Sequence, residues 1–175
     1  MCAKYLAEQE HKSKNPLFAV TWMQGGKRVV TGSSSGELII WFAPNYEYEK
    51  TTSVHKDRVQ AICWTNYEKY IISGDKKGFI IYSDNKISQK NKFQAHNESC
   101  IRDLSFSISS LKFMSCSDDR TARIFDFLTS QEELRFEGHG SDVKSCDWHP
   151  TQCLVATGSK DNKVKLWDPR TGGEV

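Results

Sequence analysis

Thr157-Gly158-Ser159-Lys160-Asp161-Asn162-Lys163-Val164-Lys165-Leu166-Trp167-Asp168 is the stretch whose reading decides the fold. A hydroxyl and a glycine close one short run, turn formers follow, and a second β-branched and apolar run ends on an aromatic. Ser, Asp and Asn bond to nearby backbone and tolerate left-handed geometry, so the pattern reads as two antiparallel strands joined by a tight turn. Three more copies lie upstream. Leu38-Ile39-Ile40-Trp41, Phe79-Ile80-Ile81-Tyr82 and Ala122-Arg123-Ile124-Phe125 end on aromatics spaced 41, 43 and 42 residues through to Trp167. Thr31-Gly32, Ser73-Gly74 and Ser115-Cys116 stand where Thr157-Gly158 stands. Nine residues separate this position from the aromatic in three units and eight in the second, which therefore reads as one residue short.

Two further features keep the register. Leu17…Trp22, Val59…Trp64, Ile101…Phe106 and Val143…Trp148 each pair an apolar residue with an aromatic five later. His55, His96 and His139 precede the last three by four or five residues. A period of about 40–45 residues is that of a four-stranded propeller blade. The reading is all-β, with an extension over 1–14 and units over 15–53, 54–95, 96–137 and 138–175. In the third unit the strands fall at 101–106, 112–116, 121–125 and 132–137, and about fifteen are expected in all. The last unit stops at Trp167-Asp168-Pro169-Arg170-Thr171-Gly172-Gly173-Glu174-Val175, where its fourth strand begins. The expectation is therefore about four blades of a larger ring, a closed ring of four being the alternative. An open sheet edge and half an interface would favour association.

Composition excludes several classes. The 175 residues carry a net charge of only +2, far from the strongly basic balance that binds nucleic acid by bulk electrostatics. No apolar run approaches the roughly 18–20 residues of a membrane span, and the first ten residues lack an apolar signal core. Cys2, Cys63, Cys100, Cys116, Cys146 and Cys153 include no C-x-x-C pair and read as reduced thiols of an intracellular protein.

Candidate chemistry is thin. Asp118-Asp119 sits in a turn, where adjacent side chains diverge, and reads as structural rather than as a catalytic pair. The histidines recur once per unit, too far apart for a metal site. Cys146 and Cys153 straddle His149-Pro150 without a source of further ligands. No phosphate-binding glycine loop, nucleophile elbow or H-E-x-x-H appears, so no enzyme, metal or cofactor is expected. More suggestive are the lysines of His11-Lys12-Ser13-Lys14, Lys76-Lys77, Lys86, Lys90 and Lys92, with Tyr46 and Tyr48 on the outer strand of the first unit. Rings beside cations suit single-stranded RNA, where bases stack and phosphates meet ammonium groups.

Gly138-His139, Ser117-Asp118-Asp119 and Leu166-Trp167-Asp168 resemble the WD-repeat signature, which implies a β-propeller, usually of seven blades. In that family His, Ser or Thr, Asp and Trp form a buried hydrogen-bonded chain. The resemblance assigns His139, Thr157, Asp161 and Trp167 in the fourth unit, with Asp161 expected to serve both His139 and Trp167. It assigns His96, Ser115 and Asp119 in the third, with Phe125 for Trp. In the second it assigns His55 and Ser73, with Tyr82 for Trp and no Asp. The first unit has Thr31 and Trp41 without His.

A closer likeness runs from about Asn15 to Gly172. Cys116-Ser117-Asp118-Asp119 through Phe125-Asp126-Phe127-Leu128, Gly138-His139-Gly140-Ser141-Asp142-Val143-Lys144 and Asp147-Trp148-His149-Pro150-Thr151 resemble the WD-repeat subunits of the eukaryotic cleavage and polyadenylation specificity factor. The resemblance implies a nuclear, non-catalytic subunit beside a large multi-propeller scaffold and a CCCH zinc-finger subunit, recognising the AAUAAA signal of pre-mRNA. It places the family's RNA-contacting Lys on Lys12 and its base-stacking ring on Tyr48. Thr51 replaces an apolar neighbour of that ring, and the family's long basic N-terminal segment is not in these 175 residues. The alternative is a WD-repeat scaffold that binds only protein.

Overall fold

The computed structural model describes residues 14–42, 47–66 and 69–175. It is an all-β propeller segment of fifteen strands, with one three-residue 3-10 turn at Gln24–Gly26. Strands β1 (Leu17–Trp22), β2 (Arg28–Ser33), β3 (Glu37–Phe42) and β4 (Glu47–Ser53) pair in order as an antiparallel meander. So do β5 (Val59–Trp64), β6 (Tyr70–Asp75), β7 (Phe79–Asp84) and β8 (Gln89–Gln94), and then β9 (Ile101–Phe106), β10 (Lys112–Ser117), β11 (Ala122–Asp126) and β12 (Glu132–Phe136). The fourth sheet has β13 (Val143–Trp148), β14 (Val155–Ser159) and β15 (Val164–Trp167). Beyond it the chain turns back, and Trp167 bridges Glu174 while Val175 N–H donates to the Leu166 carbonyl at 2.9 Å, the first rung of a fourth strand.

Why an apolar residue and an aromatic stand five apart now has a physical answer. Side chains of a regular strand alternate faces, so positions i and i+5 would point oppositely. Each sheet's first pairing carries a bulge after its first residue, at Leu17/Ala19, Val59/Ala61, Ile101/Asp103 and Val143/Ser145. The extra residue shifts the alternation by one. Val59, Ile62 and Trp64 therefore pack together against the first sheet, while Ala61 and Cys63 pack toward the third.

The apolar clusters lie between consecutive sheets. Val30, Leu38 and Ile40 meet Val59 and Ile71; Ile72, Ile80 and Tyr82 meet Ile101, Leu104 and Phe113; Met114, Cys116, Ala122 and Ile124 meet Val143, Cys146 and Val155. Burying each such side chain contributes about 1.5–3 kcal/mol. Glycine lets the sheets close up: a Cβ on Gly32 would lie 2.6 Å from a Val59 methyl, and one on Gly74 2.7 Å from an Ile101 methyl.

One expected register is corrected. Gly32 pairs with Leu38, Gly74 with Ile80, Cys116 with Ala122 and Gly158 with Val164, so the turn has the same length in all four units. The second unit is not short. Trp41, Phe125 and Trp167 lie opposite Val29, Phe113 and Val155, and the residue opposite Ile71 is Ser83. Tyr82 stands one place earlier, on the other face, stacked on Phe127 at 4.9 Å. The missing ring leaves Ser83 buried with no partner for its hydroxyl.

Candidate functional site

The expected polar chains exist, with different wiring. In the fourth sheet Trp167 Nε1 donates to Thr157 Oγ1 at 2.8 Å, and His139 Nε2 bonds the same hydroxyl at 2.8 Å. His139 Nδ1 lies 2.9 Å from Asp161 Oδ2. The partner common to His139 and Trp167 is thus Thr157, not Asp161. The reason is position: Thr157 lies mid-strand between both rings, whereas Asp161 lies in the turn above. Ser159 Oγ accepts the Asp161 N–H at 3.1 Å and holds that turn.

In the third sheet His96 bonds Ser115 at 2.8 Å and Asp119 at 2.7 Å, and Phe125 has no proton to donate. Arg123 adds a 2.9 Å ion pair to Asp119. Burial opposes ionisation of Asp119, but bonds from His96 and Thr121 outweigh it and hold the carboxyl well below the usual range. Burial in turn lowers the His96 pKa despite Asp119 beside it.

The second sheet supplies the carboxylate that the sequence reading left out. His55 bonds Ser73 at 2.8 Å and Asp75 Oδ2 at 2.8 Å. Asp75 ends strand β6, two places before the turn position filled by Asp119 and Asp161, where the other sheets have Ser33, Ser117 and Ser159. Its second oxygen accepts the Lys77 and Phe79 N–H groups at 2.9 and 3.0 Å. One buried carboxylate therefore holds both the histidine and the turn. Burial raises its pKa, but the bonds from His55 and the two backbone groups leave it lowered overall. The visible signal was an acid directly after Ser73-Gly74. The first sheet keeps only Trp41 Nε1 to Thr31 Oγ1 at 2.9 Å.

Asp118, which the WD signature leaves outside the histidine chains, bridges two sheets. It receives Arg102 at 2.8 and 2.5 Å and Lys144 at 2.6 Å, and Lys144 also meets Asp142 at 2.7 Å. These charges lie on the first strands of the third and fourth units and the turns beside them, an arrangement that spacing alone does not reveal.

The described thiols are free, with Cys63, Cys100, Cys116, Cys146 and Cys153 all unlinked. Burial pushes Cys63 up to about 11, and a bond with Cys116 together with burial pushes Cys146 well up, so neither offers a thiolate nucleophile. His149 Nδ1 accepts the Thr151 and Gln152 N–H groups at 3.1 and 2.9 Å, which commits it to its turn. Among the described residues no group of three His, Cys, Asp or Glu side chains is placed to hold a metal ion. No helix is long and apolar enough to cross a membrane.

Lys12 and Tyr46 lie outside the described residues. Tyr48 is on β4, opposite Trp41 and beside a bulge, and the residue is 52% exposed. The Trp41 ring, fixed by Thr31, meets Tyr48 edge-on at 6.5 Å and 84°. A neighbouring cleft of about 420 Å³ is lined by Met23, Arg28, Ile40, Glu49, Lys50 and Lys86, among others. Its charges are partly matched: Arg28 forks onto Glu49 at 2.7 and 2.9 Å, and Lys50 Nζ donates to the Lys86 carbonyl at 3.0 Å. Of the other lysines, Lys77 pairs with Glu98 at 2.8 Å, Lys90 with Asp84 at 3.0 Å, and Lys92 lies 4.4 Å over the Phe79 ring. Exposed pairs of this kind contribute about 0–1 kcal/mol, so a phosphate can displace them.

The model of the WD domain, G-beta repeat, matches residues 87–126 and 130–168. The chain is 38% identical over 170 residues, 97% of its length, to polyadenylation factor subunit 2 of Neurospora crassa, and 41% identical over 168 residues to that of Gibberella zeae. The chain is a WD-repeat protein of the polyadenylation factor subunit 2 family. It spans about a quarter of the length of these two relatives. More distantly, it is 28% identical to cell division cycle 20.1, cofactor of APC complex, of Arabidopsis thaliana, covering 92% of this chain and 37% of that one. Among solved structures, a chain in the crystal structure of a mitotic checkpoint complex superposes with a TM-score of 0.86 at 25% identity, over 95% of this chain and 52% of that one. This chain holds its second sheet through Asp75 as well as through residues of the WD signature.

Proposed function

We propose that this WD-repeat chain is a non-catalytic scaffold subunit of the nuclear machinery for mRNA 3′-end processing, and that it helps hold RNA carrying the AAUAAA signal through Tyr48 and Lys12. The observation that carries the RNA part is the Tyr48 ring, exposed on the outer strand and buttressed edge-on by a hydrogen-bonded tryptophan. A ring held in that way presents a face to a base without losing much freedom on binding. Likeness to polyadenylation factor subunit 2 supports the machinery. The Ser73, Ser115 and Thr157 hydroxyls each meet a histidine that in turn meets a carboxylate, but all three are buried away from any substrate, so these polar chains hold sheets together. Proposed partners are a multi-propeller scaffold subunit and a CCCH zinc-finger subunit. The test is RNA affinity of the complex reconstituted with those subunits. Tyr48→Ala should weaken AAUAAA binding by roughly 1–3 kcal/mol while Tyr48→Phe stays near wild type, because the ring face does the stacking. Lys12→Ala should weaken all sequences equally and lower the salt slope by somewhat under one unit. Unchanged affinity in an intact Tyr48→Ala complex overturns the RNA reading. That outcome favours a protein-only scaffold, which the likeness to an APC cofactor supports.

A further inference from the structure

The edge strand of the first sheet presents different chemistry on its two faces. A bulge in β4 leaves Glu49 unpaired, since Trp41 pairs with Tyr48 and Ile40 with Lys50. Neighbouring positions of a strand face opposite ways. Tyr48 therefore lies with Trp41 on one face, and Lys50 lies with Ile40 on the other, toward the second sheet. On that second face, between the two sheets, opens the cleft of about 420 Å³. Buried Ile40 and half-buried Met23 give it apolar surface, while Arg28, Lys50 and Lys86 bring three cations against the one carboxylate of Glu49. Arg28 already occupies Glu49, through a fork at 2.7 and 2.9 Å. Among the described residues Lys50 Nζ has the neutral Lys86 carbonyl at 3.0 Å as its acceptor, and neither lysine is paired with a carboxylate. An excess of cations beside apolar surface suits a nucleotide, whose phosphate meets the charges and whose sugar meets the wall.

We infer, on the reading that RNA stacks on Tyr48, that this cleft holds a phosphate of the same strand. The RNA then crosses the edge of the first sheet, with a base on one face and its backbone on the other. Tyr48 and Lys50 are two residues apart, at most about 7 Å along the strand, so one nucleotide spans the step. Glu49 acts as a stand-in for the phosphate. Its pair with Arg28 is exposed and weak, and the guanidinium fork that grips a carboxylate matches a phosphate equally well. Binding RNA exchanges one anion for the other on Arg28 and supplies the two lysines with the counter-charge that the fold does not give them.

The test is affinity against salt for an AAUAAA-containing RNA and the reconstituted complex. Lys86→Gln is the cleanest variant, because the fold uses only its main chain: Asp84 accepts its N–H at 2.9 Å and Lys50 donates to its carbonyl. Lys86→Gln and Lys50→Gln should each weaken binding about two- to fivefold, as for one solvated ion contact, and lower the salt slope by about 0.7. Glu49→Gln should strengthen binding by a similar factor, since it frees Arg28 and removes a charge that repels phosphate. Tyr48→Ala is measured beside them. Silent lysine variants with a weakened Tyr48→Ala complex overturn the cleft and leave the stacking ring standing. Weakened lysine variants with a silent Tyr48→Ala keep the cleft and remove the ring, and silence throughout removes both. A Glu49→Gln complex that binds RNA no better than wild type overturns the exchange of anions. Protein subunits lost from the Lys86→Gln complex, with RNA affinity unchanged, overturn the assignment in favour of a protein contact.

Discussion

In the fourth sheet three residues share the work of holding His139 and the turn beside it, whereas in the second sheet one carboxylate does most of it. Thr157 takes both rings, Asp161 takes the far nitrogen of His139, and Ser159 caps the turn. In the second sheet Asp75 bonds His55 and caps the turn through Lys77 and Phe79, leaving Ser73 with the histidine alone. The difference teaches that what is kept is satisfaction of buried polar groups, since an unpaired one costs about 1–3 kcal/mol. Which residue provides it is free to move, provided that the oxygen arrives at the same point.

Concentrating the work in one side chain makes the second sheet the more fragile. Asp75→Ala orphans a buried ring nitrogen and two backbone N–H groups, so a loss of roughly 3–5 kcal/mol is expected, the largest effect among the polar chains. Asp75→Asn keeps the turn acceptor and should recover more than half. Urea unfolding measures both. If Asp75→Ala costs no more than a surface change, the carboxylate is not shared in the way described.

Thr157→Val comes next. It deprives Trp167 Nε1 and His139 Nε2 at once, for about 2–4 kcal/mol, while Thr31→Val in the first sheet deprives only Trp41 and should cost about half as much. Equal losses would show that the histidine bond adds nothing to the Trp bond.

Acid should probe the same chains. The folded pKa of His96 is lowered, so the unfolded chain takes up that proton first, and stability falls as pH drops below about 6.5. The lowered carboxyls Asp75 and Asp119 contribute stability that is full above about pH 4 and lost as pH falls further through their folded values. Melting temperature against pH should therefore show two falling limbs, and His96→Asn should erase the upper one. A melting temperature that rises between pH 7 and 5 would mean that His96 is held charged.

Much of this was legible because it is written in period. The repeat of glycine, turn and aromatic gave the strands of the third sheet to within a residue, and the histidines with Ser73, Ser115, Asp119, Thr157 and Trp167 stand in the buried chains. Asp75 escaped because the WD signature places its acid at the turn position, while this one reaches the histidine from the strand end. Asp118 escaped because its partners Arg102 and Lys144 lie 16 and 26 residues away and meet it only once the sheets stack. Tyr82 misleads because an aromatic need not mark the register, which is set by backbone pairing and tolerates any residue that fits.

Ser83 gives the smallest and most discriminating test of that register. It lies opposite Ile71, where Trp41 lies opposite Val29 and Trp167 opposite Val155, and its side chain is fully buried. Nothing bonds its hydroxyl, since the ring that would point at Ser73 in this place is absent and Tyr82 faces the other way, into the stack with Phe127. A buried hydroxyl without a partner is a cost, so removing it should not destabilise. Ser83→Ala is expected to leave stability unchanged or raise it by up to about 1 kcal/mol. Tyr82→Ala, by contrast, empties an aromatic cluster and should lose about 3–5 kcal/mol. The pair of variants reads the register directly. Were Tyr82 the true counterpart of Trp167, a hydrogen bond to Ser73 would fix it, and Tyr82→Phe would cost as much as losing that bond. Among the described residues the Tyr82 oxygen is met by Ser130, at a long 3.3 Å, so Tyr82→Phe should cost little, and the ring, not its hydroxyl, is what the second sheet retains.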